Sequence, residues 1–252
     1  MNTSLHDPDL SQLLRTSEKD DIAILIDFLT DNGKGRISMG RDVRALLVAA
    51  RDAAEVSSFA QDAIVSELQR FGGHSLFNVL RGGKGVPYQE IVRDVAEHLD
   101  AECAKEQEIA RTESAILMQV VSKSLEKMSE DEKQRFFAQF GTTYDGALPG
   151  AAMVSLRRLV AGGGFVSYHL ALVAANAIAR TLVGRGVTMG ANVAIARSVG
   201  AFAGPIGWAL TAIWTAYDLA SPAYRVTVPC VVQIAYMRQK AMLTPAQRIA
   251  IQ

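Results

Sequence analysis

Apolar residues in the first 140 positions recur at spacings of three and four, the period that places them on one face of an α-helix. Residues 91–99 show the period most clearly, with polar residues on the opposite face, and Ile22, Leu25, Ile26 and Leu29 follow the same spacing. We find neither the alternating pattern of a half-buried strand nor an internal repeat. The pattern therefore predicts an all-α protein, a globule of several amphipathic helices.

Capping residues mark where several of these helices begin. Asp7 precedes Pro8, which suits the first turn of a helix. Residues 17–20 and 129–132 have the spacing of a capping box, in which a serine and an acidic residue satisfy each other's backbone N–H groups. Residues 104–128, charged early and apolar later, are expected to form one long helix.

Two long stretches in the second half of the chain carry no formal charge. Residues 159–179 form a run of 21, and residues 198–217 a run of 20. A helix needs about 20 mostly apolar residues to cross a bilayer. Both runs are rich in Ala and Gly, which contribute little transfer free energy. The pattern fits an apolar helical hairpin that can enter a membrane, and it equally fits a tightly packed helix pair inside a soluble protein.

Five residues of the second run are expected to contact membrane lipid or a partner protein helix. Aromatic residues in an apolar run suit a core or a lipid interface, and the glycines allow a second helix to approach closely. They are Trp208, Trp214, Tyr217, Gly200 and Gly204. A nucleic acid partner is not expected, because the basic residues nearby are spread through Ala/Gly sequence rather than clustered on a polar face.

The net charge of zero conceals two opposite charges. Residues 1–145 carry a formal charge of −8, and residues 146–252 carry +8, with Asp218 as the single acidic residue of the second region. The change coincides with a Gly/Thr/Pro-containing stretch at 141–150. We therefore expect an acidic amphipathic helical region at 1–145 packed around a basic, apolar helical region at 146–252. The two regions could also form one intimately packed domain.

Asp218 stands at the end of the second uncharged run, in a basic and apolar neighbourhood. A carboxylate in such surroundings needs a partner, and Arg225 is the nearest basic residue that follows it. We predict a structural ion pair between Asp218 and Arg225. A protonatable switch or a catalytic carboxylate is the alternative interpretation.

A glycine-rich loop at Arg81, Gly82, Gly83 and Lys84 is the candidate for anion binding in the first region. Backbone N–H groups of such a loop can surround a phosphate, and the two basic side chains would add charge. The loop lacks the second half of the P-loop pattern, and no Ser or Thr follows the lysine. The alternative is a simple turn between two helices.

Motifs for other chemistry are absent from the sequence. The four histidines are far apart and belong to no metal-binding spacing, so no metal or cofactor is expected. No Gly-x-Ser-x-Gly motif nominates a nucleophile, and no catalytic residue is assigned. Cys103 and Cys230 are too few for a disulfide framework. The N-terminus does not resemble a secretory signal. We expect synthesis in the cytoplasm, with peripheral membrane association or export without a cleaved signal left open.

Several segments resemble the uncharacterised bacterial YaaW family. They are residues 67–75, 80–85, 204–207 and 223–238, together with the element at 9–35, and they occur in the family's order. The family is sometimes linked to the ubiquinol-cytochrome c chaperone domain, a helical assembly factor that acts at a membrane. The resemblance implies a helical fold and supplies no catalytic residues.

These features predict a non-enzymatic, membrane-interacting helical protein. In water the acidic helices would cover the apolar hairpin, and exposure at a membrane would permit insertion, as in pore-forming toxins with a buried hairpin. One alternative is a soluble helical assembly factor or interaction protein of the chaperone type. Another is a hydrolase whose site is built from residues distant in the sequence.

Overall fold

A computed structural model describes residues 7–36, 39–73, 85–104, 107–144, 146, 150–161, 163–183 and 223–251. These residues form eleven helices and no strand. The predicted all-α class is therefore confirmed. The helices are α1 (Pro8–Thr16), α2 (Lys19–Thr30), α3 (Arg41–Asp52), α4 (Ser58–Gly72), α5 (Tyr88–His98), α6 (Ile109–Leu125), α7 (Glu130–Ala138), α8 (Ala151–Ala161), α9 (Gly164–Val183), α10 (Tyr224–Ala241) and α11 (Pro245–Ile251).

Two of the predicted helix starts are confirmed. The carboxylate of Asp7 accepts a hydrogen bond from the backbone N–H of Leu10, and Pro8 opens α1. At α7, Ser129 and Glu132 form a reciprocal capping box. Each cap satisfies backbone N–H groups that the helix itself leaves unpaired.

Two local predictions are wrong. The hydroxyl of Ser17 donates to the carbonyl of Leu13 and closes α1, so it does not cap α2, whose N-cap is Glu18 with no side-chain bond. The helix predicted over 104–128 begins at Ile109. Before it, the side chain of Gln107 accepts a hydrogen bond from the backbone N–H of Ala104.

The first uncharged run is divided between two helices. α8 ends at Ala161 and α9 begins at Gly164, with Gly163 and Gly164 in the left-handed region at φ of 59° and 55°. Glycine adopts this conformation without the steric cost that a β-carbon adds. The glycines therefore turn the chain where the charge pattern alone suggested continuity. The second uncharged run lies outside the described residues.

α10 occupies the centre of the described fold. Its residues from Val226 to Met237 are all buried, although Pro229 lies inside the helix. α10 packs most extensively against α9 and also contacts α1, α2, α4, α5 and α6. A single apolar cluster combines residues from before and after position 145. The predicted boundary there stays a prediction.

Candidate functional site

α9 is the most apolar long helix in the described part of the chain. It has 20 residues, and Arg180 is its single charged side chain. Every residue from Tyr168 to Ala179 is buried. Among the described helices, α9 alone has the length and composition that would allow a membrane crossing. Core helices of soluble proteins meet the same criterion, so the criterion by itself does not distinguish the two.

α10 covers α9 with an apolar surface and then ends in basic residues. The rings of Tyr168 on α9 and Tyr236 on α10 lie 6.0 Å apart between their centroids. Beyond the apolar stretch come Arg238 and Lys240, both largely buried. These two cations contact acidic residues of α1, α2 and α6, together with Glu18 just before α2, and they connect the end of α10 to the acidic region.

Arg238 is held by two acidic residues from different helices. Its Nε donates to Oε2 of Glu113 at 2.7 Å, and its Nη2 donates to Oδ2 of Asp9 at 2.8 Å. The hydroxyl of Tyr88 donates to Oε1 of Glu113 at 2.8 Å. Both oxygens of the buried Glu113 carboxylate thus have partners, which is the condition for keeping a charge inside a protein.

Burial dominates the proton affinities in this cluster. It raises the pKa of Glu113 above its ordinary value, although the Arg238 guanidinium opposes the rise. Burial also raises the pKa of Tyr88 well above its usual range, and the neighbouring Glu113 carboxylate adds to the rise. Tyr88 therefore stays protonated and serves as a hydrogen-bond donor.

Lys240 is bound by a second pair of acidic residues. Its ammonium lies 2.8 Å from Oδ2 of the buried Asp21 and 2.8 Å from the exposed Glu18. Burial raises the pKa of Asp21, against the opposing effect of Lys240. Burial lowers the pKa of Lys240, but Asp21 and Glu18 outweigh it and leave a net rise. Two turns before Lys240, the side chain of Gln233 donates to the backbone carbonyl of Asp21 at 3.0 Å.

These contacts form what we call the ion-pair latch, defined as Arg238 and Lys240 with their four acidic partners. Those partners are Asp9, Glu18, Asp21 and Glu113. Each latch contact joins a cation of the basic region to an acid of the acidic region. Arg157 on α8 likewise pairs with Glu102. The opposite charges of the two regions are thus in direct contact in the fold.

Most of the residues that the sequence nominated lie outside the described residues. The predicted membrane or partner contacts are among them, namely Trp208, Trp214, Tyr217, Gly200 and Gly204. So are the predicted anion-binding residues, Arg81, Gly82, Gly83 and Lys84, and the predicted acidic partner Asp218. Arg225 is described and lies exposed in the first turn of α10. Its pairing with Asp218 stays a prediction.

The two ends of segment 74–84, which contains the predicted anion-binding loop, are held together. The backbone N–H groups of Gly73 and Val86 both donate to the carbonyl of Gln69, at 3.0 and 3.1 Å. The chain therefore leaves α4 and returns beside the same carbonyl.

The latch acids were missed by the sequence reasoning, although a signal for one of them exists. Glu113 precedes Ile116, Leu117 and Val120 at the spacings of three, four and seven that define the buried face of α6. An acidic residue at a core position requires a buried partner. The sequence does not say which of the 26 basic residues supplies it.

Two amides in the described fold are buried without hydrogen-bond partners among the described residues. Both amide atoms of Asn176, at the middle of α9, are unpaired, and the residue is 0% exposed. The amide atoms of Gln139, which follows α7, are also unpaired. Unpaired buried amides are uncommon and destabilise the state that contains them.

A polar cavity of about 310 Å³ lies where α2 and α3 meet the end of α9. Arg51 bridges Asp27 at 3.0 Å and Asp52 at 2.9 Å on its wall. Its lining residues are Lys19, Asp20, Ala23, Asp27, Asn32, Arg51, Asp52 and Val183. The lining includes no histidine, cysteine or serine. Within the described ranges, no three His, Cys, Asp or Glu side chains come together in a way that could hold a metal ion.

Relatives of this chain match it over most of its length. A UPF0174 protein of Helicobacter pylori strain J99 is 31% identical over 248 residues, which cover 98% of this chain and 97% of the relative. Another UPF0174 protein of that strain is 36% identical over 182 residues, or 70% of this chain and 87% of the relative. The UPF0174 protein YaaW of Escherichia coli K12 is 29% identical over 244 residues, 95% of this chain and 97% of the relative.

No protein-family model matches the chain, and no solved structure matches it. The similarity to the Helicobacter protein nevertheless extends from end to end, and the YaaW resemblance read from the segments around positions 70 and 230 is confirmed. The chain belongs to the UPF0174 family, which includes YaaW of Escherichia coli.

Proposed function

We propose that the protein is a non-enzymatic, membrane-interacting helical protein and that the described fold is its closed form. The observation that carries the proposal is α9, a helix of membrane-crossing length that is covered by a helix fixed through buried ion pairs. As a helix, its 20 residues extend over about 30 Å, the thickness of the hydrocarbon core of a bilayer.

The charge distribution along α9 suits this role. Arg180 is exposed and lies in the last turn, where its long side chain could reach the headgroup region. Basic residues near an anionic surface gain about 1 kcal/mol each. The excess of basic residues after position 145 would therefore favour membranes with acidic lipids.

The ion-pair latch supports a closed form that is stable in water. Glu113 and Asp21 are each 1% exposed in their side chains, and separation from Arg238 and Lys240 would leave buried charges without partners. Asp9 and Glu18 at the rim are more than half exposed. The rim contacts are thus the part of the latch that can be weakened without disrupting the core.

Vesicle flotation tests the proposal with a matched pair of variants. Asp9→Asn combined with Glu18→Gln removes the rim carboxylates of the latch. Asp42→Asn combined with Glu55→Gln changes net charge equally at exposed positions outside the latch. We expect the wild type to float with phosphatidylglycerol-containing vesicles. The latch variant should float to a greater extent, and the control variant should behave as the wild type.

The outcomes separate the alternatives. If neither the wild type nor the latch variant floats at neutral or mildly acidic pH, the membrane proposal is wrong, and co-purification of a partner protein from cells would favour the helical assembly factor. An equal increase in flotation for the latch variant and the control variant would show that net charge, and not the latch, controls membrane binding. Release of trapped dye would add pore formation to binding.

A further inference from the structure

Asn176 is the unexplained residue of the apolar helix. It lies near the middle of α9, is 0% exposed, and has no hydrogen-bond partner for either amide atom among the described residues. Within the described residues, this amide therefore loses its hydration and gains no bond in return. A leucine is larger but apolar, and it would match the composition of the helix better in that form.

The surroundings of Asn176 on α9 suit close contact with another helix. Alanines follow each other at intervals of four residues at Ala171, Ala175 and Ala179. Small side chains at this interval let two helix backbones approach closely inside a membrane. Their spacing alone is a common feature of buried helices, and the buried, unpaired amide beside them is the independent observation.

An asparagine amide is self-complementary because it carries both a donor and an acceptor. Two identical helices can thus satisfy each other's asparagine, as they do in coiled coils with a buried asparagine pair. In the hydrocarbon core no water competes for the amide, so a partner helix is the available source of hydrogen bonds.

We infer that Asn176 is the contact through which two copies of α9 associate once the helix is in a membrane. The partner is then a second copy of this chain, and the amide that destabilises the closed form stabilises the assembled one. This inference rests on the proposed membrane function, and it assigns to that function a residue and an oligomeric state.

The test compares two buried amides. Asn176→Leu removes the amide of α9, and Gln139→Leu removes a buried, unpaired amide outside α9. Asn176→Gln retains an amide at the tested position. Chemical cross-linking on phosphatidylglycerol-containing vesicles reports the dimer, and thermal unfolding of the protein in solution reports the closed form.

We expect Asn176→Leu to raise the Tm of the soluble protein by about 2–4 °C, because the unpaired amide is gone. On vesicles, its cross-linked dimer should fall by about 3- to 15-fold, the range of hydrogen bonds between membrane helices. Gln139→Leu should leave the dimer unchanged, and Asn176→Gln should preserve it. Asn176→Ala replaces Asn176→Leu in the test if the larger side chain prevents folding.

Two results would overturn the inference while the membrane function stands. In the first, the wild-type protein floats with vesicles, but it forms no more cross-linked dimer than Asn176→Leu does. In the second, Asn176→Gln loses the dimer as fully as Asn176→Leu does, which would show that an amide at this position is not the contact. Failure of the wild type to float overturns the membrane proposal itself.

Discussion

Arg238 and Glu113 are 125 positions apart in the chain, and the Nε of the former donates a hydrogen bond of 2.7 Å to Oε2 of the latter. Glu113 is buried, and Tyr88 donates to its other oxygen. This contact joins α6 of the acidic region to the end of α10 in the basic region. The opposite charges of the two regions, which the sequence shows, therefore meet in a specific contact of the fold.

Removal of Arg238 should destabilise the protein strongly. Arg238→Ala leaves the Glu113 carboxylate buried without its cation, and such changes cost about 3–5 kcal/mol in free energy of unfolding. Urea denaturation measures this loss. Arg41→Ala, at an exposed position in the first turn of α3, is the control and should change the free energy of unfolding by less than about 0.5 kcal/mol.

A double substitution distinguishes the loss of the Arg238–Glu113 bond from the cost of leaving the Glu113 carboxylate buried without a cation. Arg238→Met combined with Glu113→Leu removes both charges, so it should be considerably more stable than Arg238→Ala alone. If the double variant is as unstable as the single one, the buried carboxylate is not the source of the destabilisation.

Mild acid should not open the latch through its buried carboxyls. The pKa of Asp21 and of Glu113 is raised in the folded state, so the folded state binds protons more readily than the unfolded state. Their contribution to the free energy of unfolding therefore increases as pH falls through the raised values toward the ordinary 3.8 of Asp and 4.5 of Glu. The pKa of Lys240 is also raised, so its stabilising contribution is lost only as pH rises into the alkaline range.

Urea denaturation between neutral and mildly acidic pH measures whether the contribution of Asp21 to the free energy of unfolding rises or falls on acidification. The difference in free energy of unfolding between the wild type and Asp21→Asn should grow in favour of the wild type as pH falls. Asp42→Asn, at an exposed position, should show no such trend. A difference that shrinks on acidification would mean that Lys240 overcomes burial and lowers the pKa of Asp21.

The two cysteines should differ in reactivity. Cys230 is fully buried in α10, and burial raises the pKa of its thiol, which suppresses the reactive thiolate. Cys103 is partly exposed. We expect an aromatic disulfide reagent to modify one thiol per native chain and two per chain in urea. Cys103→Ser should abolish the native reaction, and a native reaction that survives this substitution would contradict the burial of Cys230.

Gly72 should not tolerate a side chain. A β-carbon at this position would lie 2.7 Å from Cδ1 of Ile91 and 3.0 Å from Cγ2 of Val86, where α4 meets α5. Overpacking of this kind costs about 1–3 kcal/mol, so Gly72→Ala should lower the urea midpoint. In the background of Ile91→Ala the same substitution should cost less, because the space is then available. Equal costs in both backgrounds would contradict the close contact.

The local pattern of apolar and capping residues was sufficient to predict the all-α class and individual helix caps. Apolar spacing identified the buried face of α5, and Asp7 and Ser129 marked where α1 and α7 begin. These features depend on neighbours within one or two turns. α2 is instead buried on all sides from Asp21 to Thr30. Ser17 shows the limit, because its hydroxyl has two local partners available and bonds the preceding helix instead.

The sequence by itself determined the helices and the opposite charges of the two regions, because both are properties of residues near one another in the chain. Only the tertiary structure decided that Arg238 meets Glu113, that Lys240 meets Asp21, and that α9 is covered by α10. Any basic residue could neutralise a buried acid as far as charge is concerned. Which one does so depends on which helix faces pack together, and that is set by the whole core at once.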